Sequence, residues 1–323
     1  MIGSLLFTLA LAQEHVWVDT DPGRFSDDNV AVVMLVRSPE KVRIEGISTV
    51  SGNVWSKEGV DNIRATLTLL NKTIPVRLGA QNPLVHTMEM SQREGPLEFA
   101  GAFAMPRPPF ERRVETAMEG LLPAIEKANG NLTIVAIGPL TNLAQILIRR
   151  PYLGTRIKQI VIMGGNIDAP GNSTKAAEFN FWFDPEAASI VLNSTIPKKI
   201  LFALDICNKA PVTKALFDRI VAAKTPITEM YKDSFGNDYP GFLKNPKAQG
   251  FLWDELAAAY LIDPAFVKRS ETKYLDVITE FGPKYGATFV VDRPRRIGVT
   301  PVEVMLDLDL ERVLGLYERL LKQ

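Results

Sequence analysis

From His15 the chain reads HVWVDTD, a short apolar run ending in carboxylates, then a glycine-containing turn and the apolar stretch NVAVVMLVRS. The first run has the length and β-branched content of a buried strand, the second those of a helix. The unit recurs as VRIEGISTV with a helix from about Ser56 to Leu70, IPVRLGA, LTIVAIG with the helix LTNLAQILIRR, and IKQIVIMGG. Strands that are nearly all apolar, separated by amphipathic helices, predict an α/β fold: a mostly parallel, Rossmann-like open sheet with helices on both faces.

After Pro185, EAASIVLNS reads as a helix and KKILFALDI as a further buried strand. Residues 209–249 read as helices and loops, and GFLWDELAAAYLIDP as a helix stopped near Pro264. The tail offers the strand-like runs LDVITE, TFVVD and VEVMLDLD and a closing amphipathic helix, LERVLGLYERLLKQ. No repeat, low-complexity tract or linker divides residues 13–323, so a single domain is expected.

In an open parallel sheet, ligands sit beyond the carboxyl ends of the strands. The unusual polar residues fall there. Asp19 and Asp21 end the first strand, Asn53 follows the second, Thr141 follows LTIVAIG, and Asn166 follows IVIMGG.

Composition narrows the partners. The 323 residues carry 37 basic and 37 acidic side chains, so bulk charge gives no support for nucleic acid or an anionic membrane as partner. With 46% hydrophobic residues the chain has enough apolar surface to fold. One cysteine, Cys207, excludes an internal disulfide and reads as a small buried hydrophobe; His15 and His86 are too few for a histidine-rich zinc cage. Residues 1–12 hold an apolar run about half as long as a bilayer span requires, so no transmembrane helix is expected. Ala10-Leu11-Ala12 has the small-x-small pattern of a cleavable signal peptide, although the segment has no Lys or Arg; it predicts secretion or a periplasmic location, with a cytoplasmic location as the alternative. Sequons at Asn71, Asn131, Asn172 and Asn193 discriminate little.

Three segments concentrate chemistry. Asp19-Thr20-Asp21-Pro22-Gly23-Arg24-Phe25-Ser26-Asp27-Asp28 places four carboxylates around a turn and a helix start. Capping accounts for one or two of them. Clustered carboxylates repel unless a cation compensates, and an all-oxygen set suits Ca²⁺ or Mg²⁺. In AEFNFWFDPE, Glu178 and Asn180 share a face if the segment is extended and would grip adjacent hydroxyls; an aromatic core strand is the alternative. In LWDEL, Asp254 opens an apolar helix, where it would serve as an N-cap or as a ligand.

Together these segments resemble the nucleoside hydrolase family, the inosine-uridine preferring nucleoside N-ribohydrolases, over nearly the whole chain from His15. The matching motifs are Asp19, Asp21, Pro22, Gly23, Asp27 and Asp28; GISTVSGN; IVAIGPLTNLA; IVIMGGN; GNSTKAAEFNFWFDPEAA; and WDELA. Three residues, rather than the family's one, separate Gly23 from Asp27. The resemblance implies hydrolysis of a ribonucleoside to free base and ribose. It implies one Ca²⁺ held by Asp21, Asp28, Asp254 and the Thr141 carbonyl, with Asp21 as general base. Asp27, Asn172, Glu178 and Asn180 match ribose-holding positions, with Asn53 and Asn166 beside them. Where many members carry a histidine acid this chain has Trp253, similar to a purine-specific branch in which the ring stacks on the base. Family members are commonly dimers or tetramers, so a homodimer or homotetramer is implied.

Two other readings fit part of the pattern. An exported Ca²⁺-dependent nucleoside-binding protein would keep the pocket without turnover, though it needs no base at Asp21. A haloacid-dehalogenase-like phosphatase also carries Asp-x-Asp after its first strand and a Mg²⁺ site, but it expects Thr or Val in place of Gly23 and leaves AEFN and WDELA unexplained.

Overall fold

The computed structural model describes residues 13–85, 115–238 and 249–323. The signal-peptide expectation for residues 1–12 and His86 lie outside them. The strands are β1 (Glu14–Thr20), β2 (Val42–Thr49), β3 (Val76–Arg77), β4 (Thr133–Ala136), β5 (Gln159–Met163), β6 (Lys199–Phe202), β7 (Pro211–Thr213), β8 (Gln249–Phe251), β9 (Val267–Val277), β10 (Thr288–Val291) and β11 (Val302–Leu308). Nine form one sheet in the order β10-β9-β11-β6-β5-β4-β1-β2-β3, and β7 pairs with β8 separately. From β3 to β11 every pairing is parallel; β9 joins β11, and β10 joins β9, antiparallel.

Strand β1 pairs with β2 on one side and β4 on the other. The chain winds outward through β2 and β3, then returns to start again at β4 across β1. That reversal opens a crevice at the carboxyl ends of β1 and β4, where such folds bind ligands. The uninterrupted hydrophobicity of β1 has a direct cause: Val16 and Val18 pack into the core on one face, while Trp17 packs into the core on the other with Leu121 and Ile134. Alternation is lost because neither face meets water.

Two helices bear on the site. Asp27–Val36 follows β1, and Asp254–Ile262 lies against it. Both are buried along nearly their whole length, and the small side chains of Ala257, Ala258 and Ala259 permit close packing against Val30, Ala31 and their neighbours.

Several expectations shift in detail. The run KKILFALDI stays extended only to Phe202; Leu204–Cys207 turns into a short helix. Gly250 and Phe251 leave the expected helix and, with Gln249, pair with β7; the helix begins at Asp254. Of LDVITE only Leu275, Asp276 and Val277 are in a strand, as the end of the eleven-residue β9, whose exposed first half is too polar to stand out by hydrophobicity. Ala117–Ala128, to which the sequence analysis assigns no element, is a helix that Thr116 and Glu119 cap reciprocally. Cys207 is buried, and His15 pairs with Glu45 near the start of β1. Of the four sequons, Asn193 is buried with its amide on the Ser189 carbonyl, which leaves it no room for a glycan.

Candidate active site at the sheet switch point

The turn from Thr20 to Asp28 is built around the Asp28 carboxylate. Its Oδ1 accepts from the Thr20 hydroxyl and, at 3.1 Å, from the backbone amide of Asp21. Its Oδ2 accepts from Ser26 Oγ at 3.0 Å and Asn53 Nδ2 at 3.3 Å. Four donors on one buried carboxylate favour the charged form, and burial opposes them; burial dominates and raises the Asp28 pKa.

Asp21 lies beside it, 1% exposed. Its Oδ2 accepts the Asn53 amide at 2.7 Å, while Oδ1 is buried with no hydrogen-bond partner among the described residues. The neighbouring backbones come unusually close. A Cβ added at Gly52 would lie 2.1 Å from Asp21 Oδ2, and one at Gly138, just beyond β4, 2.6 Å from Oδ1. Asp19 faces away into the polar interior, where the Ser48 hydroxyl and Asn142 Nδ2 (2.8 Å) donate to it; burial carries its pKa up to about 6.

Across the crevice the N-termini of the Asp27 and Asp254 helices meet. Ligand atoms of Asp27, Asp28 and Asp254 lie within 4.8 Å of one another, the one such group of three among the described residues. The family resemblance implies Asp21, Asp28 and Asp254 as ligands; the tight trio contains Asp27 with Asp28 and Asp254, and Asp21 adjoins it through its amide on Asp28. Capping does not explain Asp254. Trp253 occupies the N-cap position, and the Asp254 side chain is on the first helical residue. The Asp254 pKa is pushed well above the carboxylate range, first by burial and then by Asp27, Asp28 and Asp21; Asp21 is raised by burial and by Asp28. The charged neighbours that act on Asp254 are all carboxylates. A buried all-oxygen cluster with an unsatisfied Asp21 Oδ1 fits one hard divalent cation, which would offset that repulsion.

The opposite wall is more backbone-bound than the sequence implied. The segment carrying Glu178 and Asn180 is helical over Phe179–Phe183, not extended, because Glu178 is its N-cap: Glu178 accepts amides of Gly165 (2.7 Å), Asn180 (2.8 Å) and Phe181 (3.0 Å). Asn180 Nδ2 donates to the carbonyls of Ile137 and Met163, each at 3.3 Å, which brings it to the ends of β4 and β5. Asn166 is tied to Ala169, Ala176 and the Glu178 amide. Asn172 is exposed and accepts the Phe179 amide at 2.8 Å.

Two further carboxylates border the site. Asp184 accepts from Thr141 Oγ1 at 2.6 Å and the amides of Leu84 and Ala187 at 3.0 and 3.1 Å; burial lifts its pKa to about 6. An Asp-Pro pair before a helical run is a readable N-cap signal, but the link to Thr141 is tertiary. Glu255, beside Asp254, is buried and accepts the Trp253 amide at 3.0 Å. Trp253 itself is half-buried, with its ring 6.3 Å from that of Phe251 and its indole N–H buried without an acceptor among the described residues.

With this geometry in place, similarity to known proteins is specific. The profile of the family described as inosine-uridine preferring nucleoside hydrolase matches residues 16–315. A pyrimidine-specific ribonucleoside hydrolase RihA from Salmonella schwarzengrund (strain CVM19633) is 33% identical over 314 residues, 94% of this chain and 97% of that protein. The solved purine-preferring ribonucleoside hydrolase from Gardnerella vaginalis superposes with a TM-score of 0.82 at 25% identity, covering 95% of this chain and 98% of its own. An inosine-guanosine nucleoside hydrolase superposes with a TM-score of 0.80 at 26% identity, over 96% and 99% of the two chains. A phosphatase of the haloacid-dehalogenase type is thereby set aside. The chain belongs to the inosine-uridine preferring nucleoside hydrolase family and is an N-ribosyl hydrolase.

Proposed function

We propose that this chain is a Ca²⁺-dependent ribonucleoside hydrolase in which Asp21 is the general base and Trp253 the platform for the leaving base, with a preference for purines. The observation that carries the reading is the buried, unpartnered Oδ1 of Asp21 beside the Asp27, Asp28 and Asp254 cluster. Asp21, Asp28, Asp254 and the Thr141 carbonyl are the expected ligands, and Asp27 is close enough to Asp28 and Asp254 to join them or to reach a sugar hydroxyl. A hard divalent cation held there supplies positive charge that makes a nearby water more acidic.

The residues of the chain do the rest. Asp21 Oδ2 accepts the Asn53 amide and Oδ1 has no partner among the described residues, so the carboxylate keeps lone pairs both to face a cation and to take a proton from water attacking the anomeric carbon. Loss of the base leaves positive character on the sugar ring, which the buried carboxylates stabilise electrostatically. Glu178 accepts three amides and retains acceptor capacity for a ribose hydroxyl; Asn53, Asn166, Asn172 and Asn180 shape the pocket around the sugar. The position immediately before Asp254 is Trp253 rather than histidine, so the departing base takes its proton from solvent while stacked on Trp253.

The deciding experiment incubates the purified chain with inosine, guanosine, adenosine, uridine and cytidine, with Ca²⁺ or with chelator, and measures released base. Purine release that chelation abolishes and Ca²⁺ restores is expected. Binding without release, at stoichiometric protein over hours, would select the nucleoside-binding alternative instead.

A further inference from the structure

The three residues between Gly23 and Asp27 each have a separate anchor. Arg24 forms an ion pair at 3.2 Å with Asp233, on the helix Pro226–Asp238, and both side chains are largely shielded from solvent. Phe25 is 3% exposed and packs within the core that also holds the Asp27–Val36 helix. Ser26 takes the N-cap position in extended backbone, with φ −89° and ψ −174°.

The Ser26 hydroxyl is used in both directions. It accepts the Gly23 amide at 3.1 Å and donates to Asp28 Oδ2 at 3.0 Å, nearer than the alternative acceptor Asn29 Oδ1 at 3.3 Å. Asn29 Oδ1 already accepts the Ser26 amide at 2.9 Å, and a carboxylate is the stronger acceptor, so the single hydroxyl proton is directed to Asp28. The chain thus returns through Ser26 from the Pro22-Gly23 turn onto a carboxylate of the candidate metal cluster.

We propose that Ser26 is a positioning residue for Asp28, and that the Arg24 ion pair and the buried Phe25 hold the turn so that Ser26 keeps that orientation. This rests on reading the Asp27, Asp28 and Asp254 cluster as a metal centre. A hydroxyl donor on Oδ2 fixes the rotation of the carboxylate, and ligands held in place by such partners bind metal more tightly than free ones. Ser26 touches neither substrate nor reacting atoms; it acts through Asp28.

The test is calorimetric titration of chelator-stripped protein with CaCl₂ alone, with no substrate present. Ser26→Gly is the informative variant, because glycine is tolerated at N-caps nearly as well as serine and lacks the hydroxyl. Its Ca²⁺ affinity is expected to fall about tenfold, in line with loss of a hydrogen bond to a charged group. Ser26→Thr should restore affinity, and Arg24→Gln should give a smaller loss than Ser26→Gly. Ser26→Gly that binds Ca²⁺ like the parent, whatever its melting temperature, overturns the positioning role and leaves the metal reading standing. A parent protein that binds no Ca²⁺ overturns both.

Discussion

A single methyl group at position 138 would sit 2.6 Å from Oδ1 of Asp21 and 2.9 Å from its backbone nitrogen. The bare backbone beyond β4 therefore sets how far the candidate base can sit toward that strand. Gly138→Ala is expected to displace the carboxylate and lower kcat/KM by about a hundredfold, the scale for a misplacement near 1 Å. Steady-state kinetics beside a far-UV circular dichroism spectrum check it; undiminished turnover would mean that the position of Asp21 is not critical.

Asp21→Asn keeps size and the acceptor for the Asn53 amide while removing the base. Turnover should fall by about 10²- to 10⁴-fold, with KM far less affected. Equal damage to kcat and KM, measured with inosine, would assign Asp21 to binding instead of proton transfer.

Trp253→Ala tests the stacking platform. Aromatic contact beyond simple burial is worth about 1 kcal/mol, so kcat/KM for purine nucleosides should fall about fivefold more than for uridine. An unchanged purine-to-pyrimidine ratio would remove Trp253 from base selection.

Occupancy of the carboxylate cluster should be visible as stability. Ca²⁺ at about a thousand times its dissociation constant contributes about 4 kcal/mol to the folded state. A rise in melting temperature with added Ca²⁺ is expected for the parent and should be abolished in Asp254→Ala; a rise of the same size in both would place the ion elsewhere.

Lys199 offers a pH-dependent check away from the site. Burial lowers its pKa to about 7, even though Nζ donates to the carbonyls of Leu192 (2.7 Å) and Ser194 (2.9 Å). A lysine whose folded pKa is depressed binds fewer protons folded than unfolded between about 7 and its ordinary 10.5, so folding stability gains as pH rises through that window. Urea melts at about pH 6.5, 8 and 9.5 should show the parent gaining relative to Lys199→Met, which lacks the titrating group. Parallel curves would show that the two carbonyls keep Lys199 charged.

The parallel sheet was legible because its strands are buried on both faces. Val16, Trp17 and Val18 form an unbroken apolar run only because each side of β1 has its own core. What misled was local context. Glu178 looked like part of an extended segment until its carboxylate was seen to cap a helix, and the first half of β9 is polar because its side chains are exposed. Asp184 reads as an N-cap, but nothing in the linear order shows that its other oxygen holds Thr141, 43 positions away.

The sequence by itself determined the α/β class, the family and the segments in which acidic residues concentrate, because hydrophobic periodicity and short motifs are local properties of the chain. Only the tertiary structure decided how those acids meet: Asp27, with Asp28 and Asp254, in the close trio, Asp21 beside it with one oxygen unpaired, and Ser26 and Asn53 holding Asp28. Those relations depend on two helix N-termini and two strand ends converging at one reversal of the sheet, and on the direction each side chain takes once its neighbours have claimed its hydrogen bonds.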